Sequence, residues 1–183
     1  MIEIMQSMRP KWCNEIISGK KTIDVRKTRP KCDTPFKVDI YCTNDRKIML
    51  ERSNYDKSIY LNSNIYYPHK MDCSLNGKVI GEYICDTIYD MRDVALEPTG
   101  MTIEQWLSYT DNHKRNRGIV YGWHISDLII YDTPKELSEF KRTNRTEENT
   151  PCAHVKWLYE PCEKCKECNL KRPPQSWCYV ERV

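Results

Sequence analysis

The sequence predicts a single α+β domain, a small mixed β-barrel with helices at its periphery. Three observations predict it. Several short segments alternate apolar and polar residues or run β-branched and aromatic, as strands do. No strand–helix–strand unit repeats along the chain, which points to a mixed sheet. A last strand-like segment, residues 172–180, follows a long polar stretch and has to close onto strands formed far earlier. At 183 residues the chain can bury one core with elaborations and is short for two.

The elements follow in order. Residues 2–5 read as a first strand and residues 11–18 as an amphipathic helix. Gly19 is the helix stop, because glycine takes the left-handed turn without a side-chain clash. Residues 22–27 and 36–41 read as strands, with Pro30 and Pro35 bounding their connection. Residues 44–76 form a polar, tyrosine-rich insertion in which strands near 47–51 and 58–67 would make an exposed hairpin, with Asn62-Ser63-Asn64 as a turn. Asn76-Gly77 is a further turn signal, and residues 78–88 are the longest strand expected. Thr102 followed by Gln105 has the spacing of a capping box, opening a helix whose apolar face carries Ile103, Trp106 and Leu107. Residues 121–131 return as a strand and 134–140 as a short helix. A cysteine-rich insertion at 141–170 precedes the closing strand. The whole chain, 1–183, is thus one domain with two insertions.

Composition narrows the function classes. Hydrophobic residues make 39% and charged residues 30% of the chain, with a mean hydropathy of −0.74. No stretch approaches the roughly 20 apolar residues of a membrane helix, so a membrane partner is not expected. Glu3, Arg9 and Lys11 interrupt the N-terminal region, which therefore does not read as a secretory signal. Ten cysteines without such a signal argue for reduced thiols or metal ligands, and hence for a cytoplasmic location. The net charge of +3 is small, but its distribution is uneven. Lys20, Lys21, Arg26, Lys27, Arg29 and Lys31 are opposed only by Asp24, and His113-Lys114-Arg115-Asn116-Arg117 forms a second cluster. Such patches attract phosphate backbones, although a solvated basic face would look the same.

The run Cys162-Glu163-Lys164-Cys165-Lys166-Glu167-Cys168 has the second chemical signature. A Cys-x-x-Cys pair brings two thiolates to one ion across a tight turn, and zinc wants four ligands tetrahedrally. Cys152, Cys162, Cys165 and Cys168 are the expected zinc ligands, with His154 or Cys178 as the substitute fourth. An iron–sulfur cluster, a redox pair and free thiols stay open beside zinc. Zinc makes physical sense because residues 141–171 hold little apolar surface beyond Val155, Trp157 and Leu158. Metal binding contributes on the order of 10 kcal/mol to such a segment. Cys13, Cys32, Cys42, Cys73 and Cys85 lack ligand spacing and read as small, mostly buried side chains.

The first helix delivers the stretch Gly19-Lys20-Lys21-Thr22-Ile23-Asp24-Val25-Arg26-Lys27 directly into a strand. Strand alternation puts Thr22, Asp24 and Arg26 on one face and Lys21, Ile23 and Val25 on the other. An acid and several cations beside a glycine turn suit the grip of a polar, anionic ligand. Gly19, Lys21, Asp24 and Arg26 resemble the G-x-K-x-x-E-x-R core of an ASCH domain, with aspartate in the glutamate position. Gly77-Lys78-Val79-Ile80-Gly81-Glu82-Tyr83 and Arg172-Pro173-Pro174-Gln175-Ser176-Trp177-Cys178-Tyr179-Val180 agree in order, the latter resembling small ASCH proteins of bacteria and phages.

The resemblance implies a PUA-like β-barrel whose basic cleft accepts RNA, single-stranded nucleic acid or a modified nucleotide. On that reading Lys21 and Lys27 meet phosphate, Arg9 and Arg26 meet phosphate or base edges, and Trp12 stacks on a base. Thr22, Asp24, Ser176 and Trp177 complete the expected site. One base stacked on an aromatic ring contributes ~1–3 kcal/mol. Trp12 and Trp177 also suit core packing, and Asp24 with Arg26 also suits an internal ion pair. The resemblance implies an alternative, an amidohydrolase acting on an acylated nucleoside such as N4-acetylcytidine. Lys21, Asp24 and Glu97 would then be catalytic, although aspartate stands where the family's nucleophilic threonine is expected. A third reading is a protein-interaction adaptor of phage or prophage origin, which would give the insertion at 44–76 a partner.

Overall fold

The computed structural model describes residues 1–63, 74–111, 119–143 and 170–183. The chain opens with β1 (Glu3–Met8), α1 (Pro10–Ile17), β2 (Ile23–Arg26) and β3 (Phe36–Cys42). A hairpin of β4 (Met49–Arg52) and β5 (Ile59–Asn62) precedes β6 (Val79–Cys85) and β7 (Ile88–Asp90). After α2 (Ile103–Asp111) come β8 (Tyr121–His124), β9 (Ser126–Lys135), β10 (Phe140–Arg142) and β11 (Trp177–Arg182).

Six strands form the main sheet in the order β10-β11-β1-β3-β6-β9. β1 and β3 run parallel, with α1 and β2 in the crossover between them; the other pairs are antiparallel. A three-stranded sheet, β2-β8-β7, and the β4-β5 pair complete the architecture. The expected α+β class and late closing strand are present, since β11 inserts between β10 and β1. The closed barrel is corrected: among the described residues, hydrogen bonding does not link the edge strands β9 and β10. β9 carries Pro134, which has no N–H to offer a further strand, and Asp127 at φ 47, outside strand geometry.

The two faces of the main sheet bury different cores. Ile4, Val38, Ile40 and Tyr83 face α1, whose Cys13 and Ile16 sit one turn apart and meet them. Leu50 of the hairpin and Trp123 of β8 fill the same core. Met5, Tyr41, Val79, Phe140, Cys178 and Val180 pack on the opposite face. α1 begins with Pro10, whose missing N–H is no loss in a first turn. It ends at Gly19, at φ 73, as the glycine signal predicts.

Several boundaries differ from expectation for local reasons. The run 78–88 is two strands, because the chain leaves the main sheet after Cys85 and re-enters with the β2-β8-β7 sheet. The run 121–131 likewise breaks at Ile125 as the chain passes from β8 to β9, which is the longest strand described. Pro134 ends inside β9, and only a 3-10 turn at Leu137–Glu139 replaces the expected helix. The hairpin is less exposed than expected: Leu50 and Glu51 are buried while Tyr55 and Tyr60 face outward. Asn62 belongs to β5 rather than a turn, and Asn64 lies outside the described residues. The capping box of α2 is present, with Gln105 N–H donating to Thr102 Oγ1 at 3.2 Å and Thr102 N–H to Gln105 Oε1 at 3.0 Å. Its expected apolar face splits, since Trp106 packs against the Ile23–Met91 cluster while Ile103 and Leu107 are exposed.

Cys152, His154, Cys162, Cys165 and Cys168, and with them the expected zinc site, lie outside the described residues, as do Cys73 and the basic cluster at 113–117. Among the described residues no group of three or more His, Cys, Asp or Glu could hold a metal ion. Cys13, Cys42, Cys85 and Cys178 are buried free thiols and Cys32 is half-buried. No described helix is long and apolar enough to cross a membrane.

Candidate nucleic-acid interface

α1, β2 and α2 surround a cleft of about 810 Å³. The helix stop at Gly19 turns the chain so that Lys21 N–H donates to Glu15 O at 2.9 Å, and β2 starts from there. Lys21 therefore lies before the strand, and its side chain does not take the face opposite Asp24. Instead its ammonium, 3% exposed, sits 3.2 Å from Asp24 Oδ1. It also donates to Ile23 O and Thr99 O, each at 2.9 Å, so all three of its hydrogens are committed.

Asp24 is the hub of this floor. Its Oδ2 accepts from Arg26 Nε at 2.6 Å and from Gln6 Nε2 at 2.8 Å. Gln6 Oε1 in turn accepts from the buried Tyr83 hydroxyl at 3.0 Å. Burial pushes the Asp24 carboxyl up, but the charges and hydrogen bonds of Arg26 and Lys21 outweigh it and hold the group below the usual carboxylate range. Burial pulls the Arg26 guanidinium down, and Asp24 more than restores it. The remaining Arg26 donors reach Ser176 O at 3.3 Å, Ser176 Oγ at 3.2 Å and Ser7 O at 3.1 Å. Arg26 thus ties β1, β2 and the segment before β11 into one wall.

Of the residues expected at the site, Arg9, Trp12, Lys21, Asp24, Arg26 and Lys27 line the cleft together. Ser176 stands behind it as an acceptor for Arg26, and the neighbouring Gln175 lines it instead. Thr22 is exposed and does not line the cleft; its backbone bonds Pro98 and Ile125. Trp177 faces the core, 5.8 Å from Trp123 between ring centroids, with Nε1–H donating to Thr28 Oγ1 at 3.0 Å. Glu97 is exposed on a 3-10 turn and does not line the cleft.

Sequence reading missed the far wall. Glu104, Gln105, Ser108 and Tyr109 of α2 face the cleft, where their spacing of one, four and five residues makes a polar stripe. That stripe was visible beside Ile103 and Leu107; what hid it was the missing knowledge that α2 stands across from Trp12. Gly100 makes the approach possible, turning at φ 67 ahead of α2.

The chemistry divides by depth. On the floor, two cations share one carboxylate and spend their remaining donors on protein oxygens. At the mouth, Arg9 is exposed, Lys27 lies 4.6 Å from the Tyr109 ring centroid, and Lys11 lies 4.6 Å from that of Trp12. Burial pushes the Tyr109 phenol up, so it is a neutral hydrogen-bonding group. The cleft can hold a planar ring against Trp12 and an anion at its rim.

No protein-family model and no curated protein matches the sequence. Solved structures do match. An ASCH protein from Zymomonas mobilis superposes with a TM-score of 0.54 at 17% identity, covering 98% of this chain and 87% of its own. A tyrosine-to-phenylalanine variant of that protein gives a TM-score of 0.55 at 17% identity, covering 98% of this chain and 90% of the variant. A serine-to-alanine variant gives 0.54 at 16%, with coverage of 98% and 88%. The fold of this chain is thus ASCH-like.

Proposed function

We propose that this protein binds RNA or a modified nucleotide in the cleft between α1 and α2. The observation that carries this reading is the sorting of charge in the cleft. Lys21 and Arg26 are consumed by Asp24 and by backbone oxygens, whereas Arg9 and Lys27 remain at the rim beside Trp12 and Tyr109. A base fits the aromatic wall, and its phosphate fits the rim. The amidohydrolase reading asks Lys21 to act as a base, and an ammonium donating to three oxygens is poorly disposed to take a proton. Asp24, held ionised by two cations, is equally poorly disposed to give one.

Titration of labelled single-stranded RNA, at several salt concentrations and with products monitored, tests the proposal. The expected result is binding that weakens steeply with salt, because neutralised phosphates release counterions, with no product formed. Binding should fall about fivefold or more in Trp12→Ala, the loss of one stacked base. A salt-independent response would overturn the proposal in favour of a protein partner. Deacylation of an acylated nucleoside, lost in Lys21→Ala, would overturn it in favour of the hydrolase.

A further inference from the structure

We infer that the ligand is an oligonucleotide strand which leaves the cleft along the exit of β2 and stacks again on Tyr121. This rests on the nucleic-acid reading above and extends it beyond a single nucleotide. Besides the buried Lys21, 5.2 Å from the Trp12 centroid, three cations on this side of the molecule each lie over an aromatic ring. Lys11 lies 4.6 Å from the Trp12 centroid, Lys27 4.6 Å from that of Tyr109, and the Arg29 guanidinium 5.7 Å from that of Tyr121. The first two rings line the cleft; Tyr121 and Arg29 stand outside it.

The sheet makes these pairs continuous. Tyr109 donates its hydroxyl to Val25 O at 3.4 Å, while Tyr121 sits opposite Arg26 in the β2–β8 ladder. Two tyrosines therefore flank consecutive residues of β2, and the cations at positions 27 and 29 follow directly. An exposed cation over a ring is worth only about 0.5–1 kcal/mol. Lys11, Lys27 and Arg29 have no carboxylate partner among the described residues, so each can swing to a phosphate and free a ring face for a base.

The opposite face of the main sheet supplies the contrast. Arg182 also lies near aromatic rings, 5.7 Å from Tyr131 and 5.8 Å from Phe140. It is bound to Glu3, Asp39 and Glu82, and those carboxylates would repel a phosphate. A free nucleotide, with one base, gives Tyr121 nothing to hold. A strand of several nucleotides uses all three positions.

Titration calorimetry with the four ribonucleoside monophosphates and a mixed-sequence RNA hexamer tests this, using wild type, Arg29→Ala and Tyr121→Leu. Leucine keeps bulk against the core while removing the stacking face. The hexamer should bind at least about tenfold tighter than any mononucleotide. Tyr121→Leu should lower the ratio of hexamer to mononucleotide affinity about fivefold. Arg29→Ala, at an exposed position, should reduce the salt slope of hexamer binding by about one. A hexamer that binds no tighter than a mononucleotide, or a ratio and slope unmoved in both variants, overturns the inference and leaves the cleft reading intact. If neither the hexamer nor any mononucleotide binds, both readings fall.

Discussion

Two buried aspartates, one on each side of the main sheet, have opposite electrostatic fates. Asp24 sits between two cations and a glutamine, and stays ionised below the usual range. Asp39, 0% exposed, has Glu3, Lys37, Glu82, Tyr131 and Arg182 around it from β1, β3, β6, β9 and β11. Its Oδ1 accepts from Arg182 Nη2 at 2.9 Å and from the Tyr131 hydroxyl at 3.2 Å, and its Oδ2 lacks a hydrogen-bond partner among the described residues. Burial, then the Glu3 charge, push it up to about 7 despite Arg182. The comparison teaches that burial alone does not decide a carboxyl's state: the ratio of cations to carboxylates does. One site is a rigid charged scaffold beneath a cleft; the other is three carboxylates sharing too few cations.

Removing the better-paired aspartate should do the most damage. Asp24→Ala strands Lys21 and Arg26 as buried cations, which costs about 3–5 kcal/mol in comparable pairs. Denaturant unfolding should read a loss of that order, and a loss below about 1 kcal/mol would mean that water already reaches the floor. The second prediction concerns pH. A group raised in the folded state contributes stability that is complete below its unfolded pKa and is lost as pH rises through the folded value. For Asp39 that window runs from the ordinary carboxylate range up through about 7. Asp24, being lowered, acts with the opposite sign and only in stronger acid. Wild-type unfolding free energy should therefore fall between about pH 5 and about pH 8, and the slope should be flatter in Asp39→Asn. Identical slopes would break the contrast between the two sites. The smallest effect belongs to Glu97→Gln, exposed and away from the cleft. It should change stability by no more than about 0.5 kcal/mol and leave RNA affinity unmoved; a larger change in affinity would extend the site toward the 3-10 turn.

What was legible in the sequence follows the range of the physics. Gly19 and the Thr102–Gln105 box act within a turn of themselves, and each marks its element correctly. Lys21 and Asp24 were recognisable as a pair of interest, but not as members of a sealed network. That network needs Gln6, Tyr83 and Thr99, which the chain supplies from three distant places. Trp177 shows the same limit: its apolar ring suited either a cleft or a core, and only its distance to Trp123 decides. Glu104, Gln105, Ser108 and Tyr109 form a readable polar stripe, yet a stripe does not say what it faces.

The pairing of β1 with β11 has a consequence for synthesis. β1 is synthesised well before β11 and must wait for it before the two can pair. Until then Ser176 is absent, and Arg26 lacks the two hydrogen bonds that it makes to that residue. Even the core against α1 draws on Trp123 of β8, and the wall of the cleft that Ser176 anchors is finished only when β11 arrives.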